Sequence, residues 1–189
     1  MNRTMSLLAA CSLPLFLAGC LSDDDDDEVV QPEPEFANVR VIHAASDAPL
    51  VNITANDAIL NNLEGVDYQV ASGRFEVETG TYDIGVTAIL PGDDAEVLQA
   101  DVTLEADTNY DVFAVGSVAD DSLMLLPVTS TETPVTAGNA QVQIVHAASA
   151  APTVDIYVTA PDAALADEQP LVTAEFTDAT DLVQVPAGE

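Results

Sequence analysis

Beyond residue 36 the chain alternates apolar and polar residues in short runs. Val39-Arg40-Val41-Ile42-His43 and Val51-Asn52-Ile53 come first, followed by Tyr68-Gln69-Val70, Phe75-Glu76-Val77 and Tyr82-Asp83-Ile84-Gly85-Val86. Val97 to Leu104 and Tyr110-Asp111-Val112-Phe113-Ala114-Val115 keep the same period, and Leu123-Met124-Leu125-Leu126 is a final apolar run. A period of two sends alternate side chains to opposite faces, so each run predicts a strand with one buried face. Turn formers separate the runs: Asp47-Ala48-Pro49, Ala71-Ser72-Gly73, Thr79-Gly80, Pro91-Gly92-Asp93-Asp94 and Asp107-Thr108-Asn109. Many short strands with regular turn signals predict an all-β, antiparallel β-sandwich, with Pro91–Asp94 as a hairpin tip. No stretch past the amino-terminal leader has a helical period.

The segment Leu104-Glu105-Ala106-Asp107-Thr108-Asn109-Tyr110-Asp111-Val112 resembles the tyrosine corner of immunoglobulin-like sandwiches, in which a Tyr hydroxyl returns to backbone a few residues upstream. A tyrosine that only packs at a strand end fits the same residues. Tyr110 is therefore a candidate structural residue, and the sandwich is expected to be immunoglobulin-like.

The chain also echoes itself. Ala37 to Ile53 (ANVRVIHAASDAPLVNI) is matched without a gap by Ala140 to Ile156 (AQVQIVHAASAAPTVDI), and Phe75 to Gly80 is matched by Leu182 to Gly188. The expected organisation is a first copy over 37–129, a linker over 130–139 and a partial second copy over 140–189. The pattern Val-x-Val-x-His-Ala-x-x-x-Ala-Pro-x-Val-x-Ile, with a later Val-x-x-Gly-x-Tyr, resembles the DUF4397 domain family. That resemblance implies bacterial extracellular β-sandwich modules, often in tandem and often in lipoproteins, with no established activity. The second copy stops near the equivalent of Gly80. Half a sandwich leaves open edges and an uncovered apolar face, so the expectation is that the chain is truncated. Completion by the first copy or by another molecule is the alternative.

At the amino terminus, Met1-Asn2-Arg3 leads into a short apolar stretch that ends Leu17-Ala18-Gly19-Cys20. A charged start, a brief apolar core and small residues at the end mark a secretory signal peptide. Pro14 and the short length argue against a spanning helix. The ending resembles a bacterial lipoprotein signal over 1–19, cleaved before Cys20. That resemblance implies a diacylglyceryl group on the Cys20 sulfur and an acylated new amino terminus. A cysteine closing an ordinary signal peptide is the other reading. Stable anchoring takes more than one acyl chain, which a multiply acylated Cys20 supplies. Leu21, rather than Asp, implies the outer membrane in the Gram-negative sorting rule this signal resembles. Residues 20–36 then form the lipidated cysteine and a tether. Asp23 to Glu28 is an unbroken acidic run followed by Pro32 and Pro34, extended by self-repulsion and reaching roughly 50 Å. Acidic runs in this position also serve as export signals in some lipoproteins.

Charge narrows the partners. The formal net charge is −30, there is no Lys, and Arg40 and Arg74 are the only cations once Arg3 has left. Such a surface repels nucleic acid and anionic headgroups. Cys11 leaves with the leader and acylation consumes Cys20, so the mature domain has neither a disulfide nor a free thiol.

Candidate chemistry is sparse. His43 and His146 occupy equivalent positions. Ser46 and Asp47 beside His43 invite a hydrolase reading, but the second copy has Ala150 where the first has Asp47. Triads are also assembled from separate segments. A strand-end histidine that ties down the following Ala-Ala-Ser turn is the structural reading, and it is preferred. Asp93, Asp94, Glu96, Asp120 and Asp121 are candidate loop ligands for calcium, which needs six to eight oxygens. No Asp-x-Asp-x-Asp-Gly loop, zinc spacing, phosphate loop or nucleophile elbow is present. The expectation is a non-enzymatic cell-envelope lipoprotein, with no cofactor, displaying β-sandwich modules for surface structure or partner binding. The alternatives are a calcium-binding surface protein and, third, a hydrolase centred on His43.

Overall fold

The computed structural model describes residues 33–60 and 62–187. Cys20 and most of the acidic tether lie outside them. The alternating runs form two four-stranded sheets. In the first, β4 (Phe75–Glu78), β1 (Phe36–His43), β7 (Asn109–Val115) and β8 (Met124–Ser130) lie in that order. In the second, the order is β3 (Ala58–Ile59), β2 (Val51–Ala55), β5 (Gly80–Ala88) and β6 (Ala95–Leu104).

The period-two reading of β1 holds residue by residue: Ala37, Val39, Val41 and His43 are buried, while Asn38, Arg40 and Ile42 face outward. The core packs Val39, Val41 and Val112 of the first sheet against Val51, Ile53, Val86, Val102 and Leu104 of the second. The architecture is an all-β sandwich, with one pair that alternation does not reveal. β1 and β7 run parallel, Asn38 beside Asn109 through His43 beside Ala114. Parallel neighbours need a crossover, and the sheet exchange provides it. After His43 the chain crosses to the second sheet for β2 and β3, comes back to the first for β4, crosses again for β5 and β6, and reaches β7 through residues 105–108.

Tyr110 sits at that return. Its Oη accepts the Glu105 N–H at 3.0 Å, five residues upstream, and its ring is 5 % exposed. Asp107, at φ 56°, donates its N–H to Phe36 O, and Asn38 N–H bonds Thr108 O. The corner thus also fixes the start of β1. Pro91–Asp94 lies at the tip between β5 and β6, whose antiparallel pairing shifts register at Val86/Thr87.

Three local expectations need correction. Tyr68-Gln69-Val70 is a turn, not a strand, because Gln69 adopts φ 65°. β3 escaped the pattern because it is two residues long, closed by Asn56 and Asp57 at φ 50° and 65°, a turn that twists with the strands it joins. The last strand runs on to Ser130 through Pro127, tolerated because β8 is an edge strand.

Residues 139–186 form β9 (Asn139–Val142), β10 (Val154–Ile156), β11 (Val172–Ala174) and β12 (Val183–Pro186), with one 3₁₀ turn at Leu165–Asp167. β9 pairs with β12 and β10 with β11, both antiparallel. Ala140 stands opposite Val185 as Ala37 stands opposite Val77. The stretch between β8 and β9, expected as a plain linker, is tied down by Gln184. Its Oε1 accepts from Thr136 N–H and its Nε2 donates to Pro134 O.

Candidate functional site

His43 ends β1 and is 1 % exposed. Its Nε2–H donates to Pro49 O at 3.3 Å, and its Nδ1 accepts the Ala45 N–H at 3.4 Å. These two bonds require the neutral ring with its proton on Nε2. The imidazole therefore closes the Ala44–Pro49 turn from inside, leaving no lone pair for a metal or a substrate proton. From the other side, Gln69 N–H donates to His43 O and His43 N–H to Val70 O. The left-handed Gln69 lets the chain double back to make both bonds, and the Tyr68 ring stands edge-on to the imidazole at 6.4 Å.

The arrangement recurs at His146, which is 6 % exposed, except for the bond to Nδ1. Its Nε2–H donates to Pro152 O at 3.1 Å, Thr177 N–H bonds His146 O, and His146 N–H bonds Asp178 O. Thr177 takes φ 79°, the counterpart of Gln69. Left-handed backbone is costly for a β-branched residue, and here it serves the same doubling back. Ser72 Oγ accepts the Val41 N–H at 2.9 Å, and Thr180 Oγ1 accepts the Ile144 N–H at 3.1 Å. Pattern reading missed this supporting strap because its residue types differ between the segments; only the backbone geometry is common.

His43, Ser46 and Asp47 do not converge. The Asp47 carboxylate turns to the loop after β7, accepting from Ser117 Oγ at 2.8 Å, Val118 N–H at 3.0 Å and Ala119 N–H at 2.9 Å. The Ala119 and Val118 amides, followed by the Ser117 hydroxyl, hold its pKa below the ordinary carboxylate value. A depressed folded-state pKa means the contribution is present above the unfolded value and disappears as pH falls through the folded one. The melting-temperature gap between wild type and Asp47→Asn is accordingly expected to be constant from neutrality to about pH 5 and to close below about pH 4. Scanning calorimetry across that range checks it. A gap unchanged at pH 3 would assign the effect to geometry alone.

The candidate calcium ligands are scattered. Asp93 and Asp94 lie at the β5–β6 tip, Glu96 in β6, and Asp120 and Asp121 in the β7–β8 loop. Glu96 and Asp121 line one cleft with Val97, Val118 and Leu123; Asp93, Asp94 and Asp120 do not line it. Among the described residues no group of three or more His, Cys, Asp or Glu side chains is placed to hold a metal ion.

The two arginines among the described residues do converge. Arg40 Nε donates to Asp111 Oδ1 at 3.1 Å and its Nη2 bonds Oδ2, while Arg74 Nη2 donates to Oδ1 at 2.6 Å. Asp111 is the direct β7 neighbour of Arg40 on the outer face of the first sheet. The sequence had singled out both arginines only as rare, not as partners of one carboxylate.

A family model described as a domain of unknown function (DUF4397) matches residues 37–157. Comparison with curated proteins and with solved structures finds no match.

Proposed function

The chain belongs to the DUF4397 family, and on that footing we propose that it is a non-enzymatic lipoprotein of the bacterial cell envelope. Lipid on Cys20 anchors it, residues 21–36 hold the body off the membrane, and the β-sandwich serves surface structure or partner binding. Residues 140–189 are read as a partial second copy of the module. The observation that carries the non-enzymatic reading is the engagement of His43. Both ring nitrogens bond backbone of the protein's own turn, so the sole histidine of the first module is used in building it. Support for the anchor comes from Leu17-Ala18-Gly19-Cys20, followed by Leu21 and the acidic run. Outer-membrane residence follows from Leu21 by the same sorting resemblance.

Intact mass spectrometry of native protein extracted from cells tests the anchor. The expected species begins at Cys20 and carries a diacylglyceryl group and an amide-linked acyl chain, and Cys20→Ser is expected to be released without detergent. A native product with an unmodified thiol, or one washed off without detergent, overturns the reading.

A further inference from the structure

The sandwich core is not filled on one side. Between the sheets lies a cavity of about 60 Å³ with no polar atom on its walls, among them Val39, Val41, Ile84, Val102 and Val112. It lies where the strands are shortest: β4, with four residues, contributes Phe75 and Val77, and Leu60 follows the two-residue β3. Leu60, Phe75 and Val77 are also walls of a neighbouring cleft of about 690 Å³, so the slot and the cleft adjoin across these three side chains. The remaining walls of the cleft include Asn62, Ser72, Arg74 and Glu76.

Arg74 is the feature that selects a ligand. The described residues contain two cations, in a chain of net charge −30, and one of the two stands at this mouth. Among the described residues its side chain bonds only Asp111, through Nη2, and remains 36 % exposed. Arg40 and Arg74 together outweigh Asp111 by one positive charge, which Glu76 in the same cleft offsets, so the attraction for an anion rests on the unengaged donors of Arg74 rather than on net charge. Glu76 is the single acid in the walls of the cleft, and Ser72 Oγ is already engaged with Val41 N–H and Gly73 O. An apolar slot, a mixed cleft that shares the apolar walls Leu60, Phe75 and Val77 with it, and a guanidinium among the polar walls of that cleft place carbon beside a cation.

We propose that this slot and cleft bind a single-chain amphiphile with a carboxylate head group. An apolar cavity of about 150 Å³ accommodates benzene, so a slot of about 60 Å³ takes only the end of an alkyl chain. The rest of the chain lies along Leu60, Phe75 and Val77, and the carboxylate meets the free donors of Arg74, a fork shaped for that group. The proposal goes beyond the anchoring role and does not rest on it.

The test is calorimetric titration of full chain carrying Cys20→Ser, free of its own lipid, with monomeric decanoate, dodecanoate and dodecanol. One saturable site is expected, with affinity rising about fourfold for each methylene buried. Arg74→Gln is expected to weaken dodecanoate about tenfold, the loss of one charge-assisted contact, and to leave dodecanol unchanged. Ala55→Leu, which adds bulk at the wall of the slot, is expected to flatten the chain-length dependence; an unchanged far-ultraviolet spectrum and melting transition establish that it folds. Absence of saturable binding overturns the proposal, and so does a dodecanoate-to-dodecanol ratio that Arg74→Gln does not alter. Neither outcome touches the lipid on Cys20.

Discussion

Gly116→Ala is expected to destabilise the protein by on the order of 3 kcal/mol, the sum of a left-handed penalty for a residue with a Cβ and a displacement of packed backbone. Gly116 follows the last residue of β7 at φ 103°, where a Cβ would stand 2.2 Å from Ser122 O and 2.7 Å from its carbonyl carbon. Those atoms are backbone, so no rotamer change relieves the clash. Ser122 N–H bonds Ser117 O at 3.0 Å, and Ser117 N–H bonds Ser122 Oγ at 3.1 Å, so the loop closes on itself just where the methyl would enter. The same loop presents Ser117, Val118 and Ala119 to Asp47. Pushing Ser122 outward therefore loosens the tie between the His43 turn and the β7–β8 loop. Chemical denaturation of both proteins measures the loss. Combining the change with Asp47→Asn is expected to give less than the sum of the two single effects, because both act on one loop. Strict additivity would show that the loop keeps its grip on Asp47 despite the added methyl.

What the sequence disclosed and what it hid divide along a physical line. Alternation and turn residues are local, so β1, β2, β4 to β7 and the Pro91–Asp94 tip could be read from them. The corner at Tyr110 was also legible, because its bond to Glu105 spans five residues. Gln69 was misread because nothing in a Tyr-x-Val run announces a left-handed residue; the turn exists to reach His43 O, a partner 26 residues away. The partner loop of Asp47 lies about 70 residues away, and the partners of Asp111 lie 71 and 37 residues away, farther than any spacing rule reaches. The apolar slot draws its walls from both sheets, so it becomes visible only after β3 and β4 are known to be short. The acidic loops show the opposite failure. Clustered in sequence, Asp93, Asp94, Glu96, Asp120 and Asp121 suggested a shared ion, and the hairpin and loop geometry leaves only Glu96 and Asp121 on a common cleft.

The two histidines are chemically matched and differently embedded, and that difference makes the second large prediction. In the first module the inward residues Val39, Val41, Val51, Ile53 and Leu63 are 1–7 % exposed. Their counterparts Val142, Ile144, Val154 and Ile156 are half-buried, and Leu171 is 42 % exposed. His43→Leu keeps the volume but strands Pro49 O and the Ala45 N–H, two groups the ring had satisfied. At about 1–3 kcal/mol for each such group, the expected loss is about 3 kcal/mol, or a fall in melting temperature of roughly 10 °C. His43→Gln is expected to recover part of this, because its amide can donate to Pro49 O. His146→Leu removes one such bond from a segment whose apolar residues already meet solvent, and the expected loss is about 1 kcal/mol. Hydrogen exchange separates the cases. His43→Leu should accelerate exchange across β1, β2 and β7 together, whereas His146→Leu should do so only within residues 139–187. If His43→Leu left stability unchanged, the imidazole would not be holding the turn, and the argument that the ring is engaged in architecture would fail with it.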